Sequence, residues 1–235
     1  MKKEFVIRRY HILMTFIILV LVFYKTPAYE EKFSFYGYKS CKVVALTFDD
    51  GPHPYYTIEI VKVLNKYHIP ATFFFVGKQV EKYPEIVRYI LENSQCKVAN
   101  HTYSHKNLST LSKDEIFNEL YATSKVLESI NSEKVLKCFR PPGGNFSNEV
   151  LEVANRLGLR MVLWSVFTND HTDISREKLI SVINNGCVSD KEIILLHSGK
   201  DTTLYSLEEI IRLLYLKGYN FVSVDEIIYN ENLSS

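Results

Sequence analysis

Asp49 and Asp50 stand side by side where an apolar run ends, in "LTFDDGP" (Leu46 to Pro52). Adjacent carboxylates repel each other, so the pair calls for a cation close by. Further along, "HTYSH" (His101 to His105) offers two imidazoles four positions apart, a spacing that on one helical turn turns both rings the same way. Two imidazoles and one carboxylate make a three-ligand site for a divalent ion, with positions left open for water and substrate. An H-x-x-x-H pair alone is common on protein surfaces; beside two acids it gains meaning. One acid can hold the ion while the other stays off it as a general base.

Other residues able to do chemistry fall in three short segments: Arg140 in "RPPGG", Asp170 and His171 in "WSVFTNDH", and His197 in "ILLHS". Each has a plain structural explanation. Arg140-Pro141-Pro142 can be a rigid turn that Gly143 and Gly144 complete with positive φ. Asp170 can cap a helix, and His197 can be a satisfied strand-end histidine. Cys96 is set aside as a metal ligand, because five extended residue steps from it to His101 span about 16 Å.

The elements that must position these residues alternate. Val43–Phe48, Ala71–Val76, Lys97–Asn100, Leu136–Phe139, Arg160–Trp164, Glu192–Leu196 and Asn220–Val224 read as strands. Between several of them lie amphipathic helices: Thr57–Tyr67, Pro84–Asn93, Lys113–Ile130, Asn148–Leu157, Ser175–Asn184 and Ser206–Lys217. Strands alternating with helices predict parallel βα units, in a barrel or an open sheet. The polar candidates all follow strands, at the end where such folds carry their chemistry. A purely structural role for each would not put them all there.

The whole chain has 235 residues and a formal net charge of +1, enough for one domain with a sizeable core and without the basic footprint of a nucleic-acid binder. Lys2, Lys3, Arg8 and Arg9 precede an apolar run from Ile12 to Tyr24, which reads as an export signal (residues 1–28). An uncleaved membrane anchor is favoured over a cleaved signal peptide, with the basic flank inside and the bulk of the chain beyond the membrane. A linker (29–40), a catalytic domain (41–229) and a short tail (230–235) follow, and a monomer is expected. Cys41, Cys96, Cys138 and Cys187 show no short C-x-x-C spacing, and buried free thiols are favoured over disulfides.

"TFDDGP", "NHTYSH", "RPPGG", "WSVFTNDH" and "ILLHS", in this order, resemble the motifs of the polysaccharide deacetylases of carbohydrate esterase family four, the NodB-homology domain. The resemblance spans about Cys41 to Tyr229. It implies a distorted (β/α) barrel and removal of acetyl groups from N-acetylglucosamine-containing glycan with one divalent metal, zinc or else cobalt, nickel or manganese. On this sequence it implies that Asp50, His101 and His105 hold the metal and that Asp49 is the base. Arg140 would orient Asp49, His197 would protonate the leaving amine, and Asp170 would pair with His197. A backbone N–H of the Arg140–Gly144 loop, at Gly143 or Gly144, would face the oxyanion, with His171 beside the substrate. Gly143 and His171 stand where the family carries aromatic residues, and Phe167 stands for an Asp, so a cleft with less aromatic surface is expected. The same site could hydrolyse an O-acetyl ester of xylan type, or serve only to bind carbohydrate.

Overall fold

The computed structural model describes residues 42–185 and 189–229. The expected leader, the linker and the tail, together with Cys41 and Cys187, lie outside the described residues. Among the described residues no helix is long and apolar enough to cross a membrane.

Among the described residues eight strands follow in chain order: β1 (Val43–Asp49), β2 (Thr72–Phe75), β3 (Lys97–Asn100), β4 (Val135–Phe139), β5 (Arg160–Met161), β6 (Val166–Phe167), β7 (Glu192–His197) and β8 (Asn220–Phe221). The helices are α1 (Tyr56–Lys66), α2 (Gly77–Lys82), α3 (Pro84–Asn93), α4 (Lys113–Asn131), α5 (Asn148–Arg156), α6 (Arg176–Asn185), α7 (Asp201–Leu216) and α8 (Val224–Tyr229). All pairings are parallel, in the order β5-β4-β3-β2-β1-β7-β6, with β8 beside the start of β1. The sheet curls into a half-closed barrel with helices around it.

The central strand β1 is buried along its whole length, as its unbroken apolar run requires of a strand covered on both faces. Strand alternation then separates two layers. Phe73 and Phe75 join Leu46, Phe48 and the buried stripes of α1, α3 and α7 in the main core. Ala45, Phe74, Ala99, Cys138 and Val162 form a second, smaller cluster that α8 packs through Val224. In α1 the buried positions Thr57, Ile60, Val61 and Leu64 have the spacing of a helix face against a sheet. At the start of α4 a reciprocal cap ties the Ser112 side chain to Glu115 N and the Glu115 side chain to Ser112 N. Cys96 and Cys138 are buried free thiols, which burial pushes up to about 11 and about 12.

Three expectations are corrected. The strand expected over Arg160–Trp164 ends at Met161 and a separate piece, β6, begins only at Val166, because the chain leaves β4 after Val162 N donates to Phe139 O (2.8 Å) and joins β7 at Ser165 N to Ile193 O (3.0 Å). The buried Arg140 guanidinium serves the carbonyls exposed by this crossing, with Nε to Val162 O at 3.3 Å and Nη2 to Leu163 O at 3.1 Å. Secondly, α7 starts at Asp201 rather than Ser206, its polar first turn being buried at Thr203. Lastly, His101–His105 is a loop and not a helical turn: Thr102 and His105 both have positive φ (64° and 57°).

Candidate metal and catalytic site

The parallel sheet brings the ends of β1, β3, β4 and β7 together, and the candidate residues with them. Asp50 Oδ1 lies 3.4 Å from His101 Nε2 and 3.0 Å from His105 Nε2, and the two imidazole centroids are 5.0 Å apart. His101 Nδ1 sits 2.8 Å from Arg140 O. A carbonyl oxygen only accepts, so Nδ1 carries a proton and Nε2 is the ring nitrogen turned toward Asp50. A carboxylate oxygen this close to two imidazole nitrogens needs a cation among them, either a proton or a metal ion. Two ligands of one small ion, each at about 2.0–2.1 Å on tetrahedral directions, stand roughly 3.3 Å apart, close to the spacings found. The donor set fits a divalent metal, and Asp50, His101 and His105 could hold it. Burial pushes the Asp50 carboxyl up, but the hydrogen bonds from His101 and His105 outweigh it and leave the net shift downward. The hydrogen bond to Asp50 in turn raises His105.

Backbone geometry here is costly for ordinary side chains. Asp50 has φ 74°, and together with Thr102 and His105 it gathers left-handed residues about one point. Gly51 follows Asp50 because a Cβ there would lie 2.7 Å from Phe75 Cε1.

Asp49 is 3% exposed and Arg140 is fully buried. Arg140 Nη1 donates to Asp49 Oδ1 at 2.7 Å and to Thr47 Oγ1 at 2.8 Å, while its guanidinium covers the Phe74 ring at 4.1 Å. One carboxylate oxygen of Asp49 is thereby fixed. The other, Oδ2, lies 3.7 Å from His101 Nε2, beside the ion site.

His197 ends β7, with Nδ1 2.7 Å from Asp170 Oδ1, and its backbone N donates to Asp170 Oδ2 at 2.7 Å. Thr203 Oγ1 also donates to Asp170 Oδ2, and Thr168 Oγ1 lies 2.9 Å from Oδ1. Burial drives the Asp170 carboxyl up, but the hydrogen bond and charge of His197 prevail and it is lowered. For His197 burial acts downward, and the Asp170 bond and charge prevail to raise it. Of the two glycine amides in the expected oxyanion loop, Gly144 N already donates to Pro141 O (2.9 Å). Among the described residues no hydrogen bond engages Gly143 N, so that amide is available. His171 is exposed, with its ring centroid 5.3 Å from that of His197.

Residues 36–162 match the family model described as polysaccharide deacetylase. The chain belongs to that family. A peptidoglycan-N-acetylglucosamine deacetylase of Bacillus cereus is 34% identical over 192 residues, covering 80% of this chain and 88% of the relative. The solved peptidoglycan deacetylase PdaC of Bacillus subtilis is 33% identical, with a TM-score of 0.73, and the match covers 80% of this chain and 90% of that one. A family-four pseudoenzyme of Bacillus anthracis shares the fold equally well, at TM-score 0.74 and 29% identity, covering 80% of this chain and 65% of that one. The polysaccharide deacetylase fold is therefore established here, and activity has to be argued from the site.

Several supporting residues of this deacetylase domain escaped the sequence reading. Glu119, buried on α4, accepts from Ser104 N at 2.7 Å and from Ser104 Oγ, clamping the loop that carries His105. Asn100 accepts from Thr102 N (2.8 Å) and donates to Leu120 O (2.7 Å), holding the left-handed turn against the same helix. The signal for Glu119 was present: an acid on the apolar face formed by Ile116, Leu120, Thr123 and Leu127. Thr203 gave none, because it reaches Asp170 from α7, far along the chain.

Proposed function

We propose that this protein is a metal-dependent N-deacetylase that hydrolyses the acetamide groups of N-acetylglucosamine-containing envelope glycan, working beyond the membrane to which its apolar leader holds it, as a monomer. One observation carries the reading. Beside the converging Asp50, His101 and His105 stands a separate carboxylate, Asp49, with one oxygen held by Arg140 and the other facing the ion site.

Asp50, His101 and His105 would hold the metal, with zinc the first candidate before cobalt, nickel or manganese. When bound it would act as a Lewis acid toward the acetyl carbonyl and make water acidic enough to attack near neutral pH. Asp49 Oδ2 takes the proton of the attacking water; Arg140 on Oδ1 keeps the carboxylate charged and aimed. Gly143 N–H donates to the carbonyl oxygen as negative charge grows on it. His197, held by Asp170 through Nδ1, has Nε2 left for the leaving nitrogen and gives it a proton as the C–N bond breaks. Acetate and a free amine result. A role in carbohydrate binding alone would need neither Asp49 nor the Asp170–His197 pair.

The test is acetate release from peptidoglycan, N-acetylglucosamine oligomers and acetylxylan, before and after chelation and again after a divalent ion is restored. The expected result is release from the first two, lost on chelation and regained with metal. Release from acetylxylan alone would assign an O-acetyl esterase; none from any substrate would assign a binding protein.

A further inference from the structure

Beyond the residues of the reaction, a run of rings leads away from His197. His171 lies 5.3 Å from His197, Phe167 5.5 Å from His171, and Trp164 5.8 Å from Phe167, centroid to centroid. The Phe167 ring is tilted by 31° from His171 and stacks at 27° on Trp164, so the three form a stepped ledge. Phe167 is 44% exposed, while its strand neighbour Val166 is buried in the core. β6 thus turns this large apolar ring to solvent.

The ledge is held from behind. A Cβ on Gly144 would lie 3.0 Å from Trp164 Cη2 at a backbone φ of 71°, so glycine suits the close approach of the "RPPGG" loop to the indole. The Arg140 guanidinium lies 5.7 Å from the Trp164 ring on the same support. A fixed, exposed aromatic surface joined to a catalytic group is a binding surface.

We propose that Trp164, Phe167 and His171 form a glycan subsite beside the reacting acetyl group, with Phe167 as its main sugar contact. Naming the ligand rests on the deacetylase reading above. A pyranose ring has an apolar face of C–H groups that stacks on aromatic rings, and hydroxyls at its edge that an imidazole can bond. Phe167 therefore returns aromatic surface that the replacements at Gly143 and His171 were expected to remove. Covering part of one phenyl face is enough for about five- to tenfold in affinity.

Trp164 is the sole tryptophan of the chain, so its fluorescence reports the ledge directly. The experiment titrates N-acetylglucosamine oligomers and xylan oligomers, each acetylated, into metal-loaded protein carrying Asp49→Asn, which stops turnover during the titration. It then repeats the titration with Phe167→Ser or Phe167→Tyr added. The expected result is a saturable change in Trp164 emission with one of these sugars, weakened about five- to tenfold by Phe167→Ser and retained by Phe167→Tyr. In the otherwise native chain Phe167→Ser should raise KM by a similar factor while kcat moves less. Equal affinity in Phe167→Ser, or no response to either oligomer, overturns the subsite. Failure of the native chain to release acetate contradicts the proposed function instead, because the fluorescence titration does not depend on turnover.

Discussion

On the β1, β3 and β4 side of the site, Arg140, Asp49 and His101 are buried and Arg140 binds four acceptors at once. On the β6 and β7 side, Phe167 and His171 face solvent, and their contacts are ring against ring. The first region is a network in which removing one member strands several others. The second is a surface on which one residue can be exchanged without unpairing its neighbours. The departures at Phe167 and His171 lie on the exposed side, while that at Gly143 lies in the loop after β4.

The hardest blow to the contrast is Arg140→Ala. It would leave Asp49 Oδ1 and the carbonyls of Val162 and Leu163 without their donor in a closed interior. Breaking a buried pair by removing one partner costs about 3–5 kcal/mol, so urea unfolding should show a loss of that order along with turnover. Arg140→Lys should recover little, since one ammonium cannot copy the planar fork. A loss below about 1 kcal/mol, as for an exposed pair, would mean the two regions do not differ in this way.

Next in size is Glu119→Ala. Without the clamp on Ser104 the loop bearing His105 loses its anchor on α4. Residues that orient metal ligands typically contribute about 10- to 100-fold in affinity, so competition with a chromogenic chelator should show weakening in that range. Glu119→Gln keeps an acceptor for Ser104 N and should restore most of it. Unchanged affinity in both variants would place metal retention outside the buried network.

Asp170→Asn should have the smallest effect, and it would appear as a pH dependence. Asp170 raises His197, so without its charge the imidazolium becomes more acidic and the alkaline limb of kcat should move to lower pH. Stability follows the same signs. The lowered Asp170 stabilises fully above its ordinary 3.8 and loses this as pH falls through the lower folded value. The raised His197 stabilises fully below its ordinary 6.5 and loses this as pH rises through the higher folded value. Thermal unfolding of the native chain should therefore show its largest margin over Asp170→Asn between those two values. A margin that does not vary with pH would mean that the pair contributes packing and no charge.

Much of this contrast is legible in the sequence. Apolar runs of β1, β2 and β7 are long enough to read as strands, and the polar residues just after them land at one end by parallel pairing alone. Asp49, Asp50, His101 and His105 were visible for that reason. The crossing between β5 and β6 was not, because Leu163 and Trp164 continue an apolar stretch and only the distant Arg140 marks where it leaves the sheet. The loop shape of "HTYSH" was hidden similarly. Its positive φ values depend on Asn100 and on Glu119 of α4, neither of which the His spacing reveals. Phe167 counted as a lost acid in the sequence and becomes an exposed ring only once β6 pairs with β7.

Acetate release by Asp49→Asn, normalised to bound metal, tests the central claim most directly. Asp49 touches Arg140 and faces the ion site without belonging to the proposed ligand set. The expected result is one divalent ion per chain in both proteins and release slower by about 10²- to 10⁴-fold in the variant, the usual cost of losing a general base. Near-native release per bound ion, or an ion lost together with the carboxylate, would contradict the division of labour between Asp49 and Asp50.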